Sequence, residues 1–326
     1  MTLAHENFHD AAKRLAELLR DNAGQTPRYF IHCTGGFQLE ELFDETPKCF
    51  QLRQFQELPQ TPDADGEAPR MLCGNCHELP IVVQIGSWRL ADGHGILPEL
   101  LPVAAAHAAA IPNALFVDCA LSLNPDLKAG RWGMLTDFIN GFQFSPLDGL
   151  HHLLERPYPN LSETLNQYQN SEIINALGET DETPLLGTYL GRPGFHLPTP
   201  AETRLAAAQG ADLLGHDLPL LLVFAHAMNL RVSSLVLAGA QLEPGAPAPR
   251  LDRRDFLETA RFRSPQLART LRRAIAELEH RPHDAELDAT NPQNHMSDEP
   301  DADELIAAGI RSAATRISPL AKYLKR

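Results

Sequence analysis

Short apolar runs alternate with stretches of helical periodicity along most of this 326-residue chain. That alternation constrains the fold more than any other feature, because strands and helices taken in turn pack into layered α/β structures. Phe8, Ala12, Leu15 and Leu19 fall on one face of a helix, and Lys13, Arg14, Glu17 and Arg20 take the other. Residues 28–33 then read as a strand that runs into Thr34-Gly35-Gly36. A strand followed by a glycine turn is a common ligand position in α/β proteins.

The pattern continues with strands at 81–85 and 114–117 and an Ala-rich helix at 102–110. Thr199 offers an N-cap, Pro200 suits the first helical turn, Glu202 completes a capping box, and Gly210 ends that helix. Residues 218–228 read as a further helix stopped by Asn229, and 230–237 as a strand. Ser264-Pro265 opens a last helix with Leu267, Leu271, Ile275 and Leu278 on one face. The expected fold is a central mixed, twisted β-sheet flanked by helices, within a domain spanning 1–280.

Residues 281–303 are acidic, hold three prolines and carry almost no large apolar side chain, so they read as a flexible linker. Residues 304–326 follow as a helical extension, with Ile306, Ile310, Ala313 and Ile317 at helical spacing. Docking on its own chain is favoured over docking on another subunit.

Composition excludes several classes. No apolar stretch approaches the ~18 residues that span a bilayer, and the first 22 residues mix charge with apolar side chains, unlike a signal peptide. A cytoplasmic protein without a membrane partner is expected. The net charge of −14 is spread generally, with no basic stripe to neutralise phosphates, which argues against nucleic acid. Five cysteines in such a chain point to reduced thiols. Cys73-Gly74-Asn75-Cys76-His77 has the spacing of a haem attachment site and of half a zinc knuckle. A β-hairpin turning at Gly74-Asn75 is the preferred reading. No cofactor is expected, and the histidines, His151-His152 included, lack metal-ligand spacing.

Several short segments, taken in order, resemble the trimeric purine nucleoside phosphorylase and methylthioadenosine phosphorylase family. They are Leu123-Asn124-Pro125, Asp137-Phe138-Ile139-Asn140, Gly187-Thr188-Tyr189, the run from Gly210 to Gly215, and Leu230-Arg231-Val232. The resemblance spans roughly residues 5–278. It implies a nucleoside-phosphorylase-like fold, a homotrimer and a nucleoside-like small molecule as ligand. In the family an aromatic side chain of a neighbouring subunit helps to close the site; Phe142 and Phe144 are both candidates.

The resemblance also implies a degenerate site. The family's phosphate loop Gly-Ser-Gly-Leu-Gly appears as Cys33-Thr34-Gly35-Gly36-Phe37, so Thr34 keeps a hydroxyl but Phe37 replaces a glycine. In Gly-Arg-Phe-His-Met-Tyr-Glu-Gly the phosphate-binding Arg becomes Ser87, the His becomes Arg89, the Tyr becomes Ala91 and the Glu becomes Asp92. Asp118-Cys119 stands for Asn-Ala. The base-binding Phe-Glu becomes Leu197-Pro198, preceded by His196, and the base-binding Asn becomes Ala240. Gly-Met-Ser becomes Gly215-His216-Asp217. A carboxylate ~4 Å from phosphate at an effective dielectric near 20 repels it by about 4 kcal/mol per unit charge, on the order of a thousandfold in affinity. Arg89 offsets part of this or pairs with Asp217 to fill an emptied pocket.

Two readings follow. One is a catalytically silent binding or scaffold protein. The other is an altered phosphorylase or a nucleoside hydrolase on a purine nucleoside or related N-glycoside, with Asp217 as general base and His216 or Asp92 on the ribose. No residue is assigned a confident catalytic role. Thr34, Ser87, Arg89, Asp92, Cys119, His196, Leu197, His216, Asp217 and Ala240 are the pocket candidates.

Overall fold

A computed structural model describes residues 3–62, 66, 68–155, 158–180, 182–194, 196–247 and 251–280. The proposed linker and C-terminal extension lie outside the described residues. By its contacts the chain divides into Met1–Leu278 and Glu279–Arg326, and every strand among the described residues lies in the first unit.

In chain order the regular elements are α1 (His5–Ala23), β1 (Tyr29–Cys33), β2 (Lys48–Gln51), β3 (Arg70–Cys76), β4 (Leu79–Ile85), α2 (Leu97–Ala108), β5 (Asn113–Ser122) and β6 (Trp132–Asn140). Then come α3 (Gln167–Gly178), β7 (Leu185–Gly191), α4 (Pro200–Ala208), β8 (Leu213–Gly215), α5 (Leu218–Ala227), β9 (Arg231–Gln241) and α6 (Arg253–His280). The strands form one mixed sheet in the order β2-β3-β4-β1-β5-β8-β7-β6-β9, and β5 also pairs with β9. Strands β5, β8, β7, β6 and β9 therefore pair in a closed circuit, and β1, β4, β3 and β2 extend from β5 as an open wing. β1 runs parallel to both β4 and β5, and β5 runs parallel to β9.

Both faces of the sheet are covered. Phe8, Leu15 and Leu19 of α1 pack with Leu100 and Leu101 of α2 and Leu221 and Phe224 of α5 in one apolar cluster. Ile173 and Leu177 of α3, Ala206 of α4 and Leu267, Leu271 and Ile275 of α6 belong to a second. The mixed α/β architecture expected from the alternation is the one observed. β5 is buried at every position, which suits a strand with helices on both faces.

Three local readings are corrected. The hairpin after β3 does not turn at Gly74-Asn75. Gly74 pairs with Ile81 inside the ladder, and the turn falls on His77 and Glu78, at φ 52° and 64°. Asp44 stabilises it by accepting both backbone N–H groups, at 3.0 and 2.9 Å. Gly74 serves packing instead, since a Cβ there would stand 2.9 Å from the Phe43 ring.

The last helix does not open at Ser264-Pro265. It starts at Arg253 and runs through Pro265. Its start is marked by Asp252, whose side chain accepts the Arg254 N–H while Asp255 accepts the Asp252 N–H. Ser264 Oγ donates to the Ala260 carbonyl and accepts the Gln38 N–H. The Ala-rich helix, finally, begins earlier than residue 102, at Leu97, with Pro102 inside it.

Candidate functional site

A cleft of about 450 Å³ opens beside the ends of β5 and β8, the segments that follow β4 and β7, and the start of α6. β5 contributes Cys119, Ala120 and Leu121 to its lining. These flank the point where the β5–β9 register shifts, between Ala120 and Leu121. A bulge of this kind re-aims side chains at the end of a strand. Arg89 arrives after β4, Arg192, His196 and Leu197 after β7, and Leu214, Gly215 and His216 from β8 and just beyond it. Leu251, Arg253 and Phe256 close the side formed by α6.

Five of the ten residues singled out in the sequence line this cleft: Arg89, Cys119, His196, Leu197 and His216. The other five do not. Ala240 is buried within β9, and Ser87 is buried beside Trp88, whose indole N–H donates to the Thr61 carbonyl at 2.9 Å. Asp92 turns inward on its own segment and accepts the Arg89 N–H at 2.6 Å. Thr34 Oγ1 is buried without a hydrogen-bond partner. Asp217 is buried at the start of α5.

The glycine loop after β1 is covered. Gly36 takes φ +93°, and a Cβ there would stand 2.8 Å from both the Cα and the carbonyl oxygen of Leu257. The backbone of α6 thus lies directly on the loop. Phe37, fully buried, stacks on Trp132 with ring centroids 6.3 Å apart. Next to Leu257 on the helix, the Phe256 ring presses on Gly239, where a Cβ would meet it at 2.3 Å and Cys119 Sγ at 2.8 Å. Neither Phe37 nor Trp88 lines the cleft itself.

Asp217 is 4 % exposed and accepts the Leu90 N–H at 2.9 Å. Burial raises its carboxyl to about 6; the Leu90 N–H, a hydrogen bond from Glu99 and the charge of Arg89 pull the other way. Glu99, buried in the first turn of α2, is held well above the ordinary carboxylate range by burial and by Asp217. The interaction between the two carboxyls raises Glu99 and lowers Asp217, which favours a protonated Glu99 beside an ionised Asp217. Arg89 is the cation that acts on both.

A second buried network stands next to it. The Tyr189 hydroxyl donates to Asp118 at 2.6 Å and accepts the His216 backbone N–H at 2.9 Å. Gly215 is required by this arrangement, since a Cβ there would fall 1.8 Å from the hydroxyl oxygen. The His216 imidazole is lowered to about 4, first by burial and then by the charges of Arg89, Arg192 and Arg253. It is therefore neutral at pH 7. Arg192 bonds both the ring and the carbonyl of His196, and it lies 3.9 Å from Glu202.

Arg192, Arg253, Phe256 and Glu99 were not among the sequence candidates. Glu99 was visible as a lone carboxylate in an apolar helix, and Arg192 stands three residues beyond Gly187-Thr188-Tyr189. Arg253 and Phe256 belong to no segment that signals a site. Phe142 and Phe144 pack edge to face with centroids 5.7 Å apart. Among the described residues no cluster of His, Cys, Asp and Glu could hold a metal, and no helix is long and apolar enough to cross a membrane.

Known proteins resemble the chain both in sequence and in fold. Residues 54–276 match the model of the phosphorylase superfamily. The rat purine nucleoside phosphorylase is 25 % identical over 238 residues, covering 71 % of this chain and 81 % of that one. The Mycobacterium leprae purine nucleoside phosphorylase is 30 % identical over 161 residues, covering 49 % of this chain and 56 % of that one. In structure, Schistosoma purine nucleoside phosphorylase in complex with hypoxanthine superposes with a TM-score of 0.71 at 18 % identity, over 82 % of this chain and 97 % of that one.

Proposed function

The chain belongs to the phosphorylase superfamily, and from that membership we propose that it is a purine nucleoside phosphorylase-like protein that has lost phosphorolysis and serves as a binding protein. The observation that carries the proposal is the Leu257 backbone lying on Gly36. Phosphorolysis needs an anion to approach backbone amides and hydroxyls at such a loop. If the glycine loop is the anion site, as the resemblance implies, the α6 backbone on Gly36 and the enclosed Thr34 Oγ1 support a loss of phosphate binding. The buried carboxyl of Asp217, once ionised, would repel phosphate in the same region. The cleft itself stays open, which supports binding over a purely structural role. The test is release of free base from purine nucleosides in the presence of phosphate, and none is expected.

One observation favours a second reading, a nucleoside hydrolase. Asp217, raised to about 6, has the tuning of a general base near neutral pH. Against it, Asp217 is 4 % exposed and engaged by Leu90. Base released without phosphate is the outcome that would favour hydrolysis. The proposal extends to a cytoplasmic homotrimer, supported by the family likeness alone. Light scattering tests the assembly.

A further inference from the structure

We propose that the outward face of α6 docks a short acidic peptide of another protein, with Arg254, Arg261 and Arg269 on its carboxylates and the ring of Phe262 on an apolar side chain between them. None of these four residues lines the cleft, so this interaction is separate from the binding role given to the cleft and does not depend on it.

The face follows from the helix period. Phe256, Ala260, Leu267, Leu271 and Ile275 of α6 are buried. Arg254, Glu258, Arg261, Phe262, Pro265 and Arg269 are exposed, and at about 3.6 residues per turn their spacings return them all to one side. The linear sequence shows no basic run there; the helix assembles one from arginines seven and eight positions apart. At about 1.5 Å per residue the three arginines span roughly 22 Å, which an extended peptide covers in about seven residues.

Two observations set this face apart from an ordinary solvated one. First, other arginines of α6 hold carboxylates: Arg263 pairs with Glu182, Arg272 with Asp44 at 2.9 Å and Arg273 with Glu179 at 2.8 Å. The side chains of Arg254, Arg261 and Arg269 have no hydrogen-bond or ion-pair partner among the described residues. Asp255 is engaged by the Asp252 N–H at 2.8 Å, which leaves Glu258 as the one acid set against three cations on this arc of the helix. Second, Phe262 is 81 % exposed between them. A nearly bare aromatic ring flanked by arginines is the composition that interface centres favour. The charge then selects the partner. Tight binders of duplex nucleic acid make roughly six to ten phosphate contacts, more than these arginines supply. A formal net charge of −14 also repels an extended polyanion or an anionic membrane. A short acidic peptide meets the local field of the arginines and carries the apolar side chain that covers Phe262.

Fluorescence anisotropy tests this on the full chain, with a labelled peptide of about ten residues made of glutamates around a central pair of leucines. The comparison ligands are the same peptide with glutamine for every glutamate, a thymidine oligonucleotide of equal charge, and phosphatidylserine vesicles. The acidic peptide is expected to bind at least about tenfold more tightly than its glutamine version, and less tightly as salt is raised. Arg254→Gln, Arg261→Gln and Arg269→Gln are each expected to weaken it about threefold, and the three together about thirtyfold, since the sites stand well apart on the helix. Phe262→Ser is expected to weaken it about threefold or more, and Glu258→Gln to strengthen it about twofold. All of these side chains are exposed, so the variants should keep the wild-type denaturation midpoint, which urea titration checks. Equal binding of the glutamine peptide, no binding of the acidic one, or unchanged affinity in the folded triple variant would overturn the inference. So would tighter binding of the oligonucleotide or of the vesicles.

Discussion

Leu257 sits on Gly36 so closely that a Cβ on the glycine would stand 2.8 Å from the leucine Cα. The contact joins the loop after the first strand to the last helix. Gly36 is also at φ +93°, in a region that a side chain disfavours. Gly36→Ala is therefore expected to destabilise the fold by about 2–4 kcal/mol, combining backbone strain with a clash against main chain. Urea denaturation measures it. A loss under ~0.5 kcal/mol would mean that α6 does not pack on the loop.

Asp217 makes a pH prediction. Its folded pKa is raised from 3.8 to about 6. Stability from this group is full below the unfolded pKa and is lost as pH rises through about 6. Asn cannot ionise, so the stability of Asp217→Asn relative to wild type should rise by about 1–2 kcal/mol from pH 5 to pH 8. Comparing two proteins cancels the opposite contributions of His32 and His216, both lowered to about 4. A relative stability that stays flat across this window would show that Asp217 is not buried as described.

Tyr189→Phe removes the hydroxyl that links Asp118 to His216. It leaves a buried carboxylate and a backbone N–H without that partner. The expected cost is about 1–3 kcal/mol, read as a lower denaturation midpoint with an unchanged slope. A neutral effect would require water to replace the hydroxyl.

The thiols should divide by access. Cys49 is exposed; Cys33, Cys73, Cys76 and Cys119 are buried. Burial pushes Cys73 up to about 12 and Cys76 up to about 11, and Cys33 and Cys119 higher still. A thiol reagent applied to native protein at pH 8 should modify Cys49 quickly and the others only on unfolding. Fast labelling of Cys119, located by peptide mapping, would contradict the Phe256 cover.

Much of the fold was legible in the residues. The capping box at Thr199 and Glu202, the apolar stripe of α1 and the continuous apolar strands each report local physics that the fold leaves unchanged. The start of α6 was not legible, because Pro265 looks like a helix opening and Asp252 follows no periodic run. The site divides in the same way. Arg89, Cys119, His196, Leu197 and His216 lie in segments with a recognisable order, and the cleft gathers them. Arg192, Arg253 and Phe256 reach it through the tertiary path of α6 and the β7 exit, which no local pattern encodes.

The most direct measurement incubates the protein with inosine, guanosine, adenosine and methylthioadenosine, with and without phosphate, and quantifies free base by chromatography. With Gly36 covered by Leu257, no base should appear above the blank in either condition. Base released only when phosphate is present would contradict the central claim, because phosphate would then have to reach a loop that the helix closes.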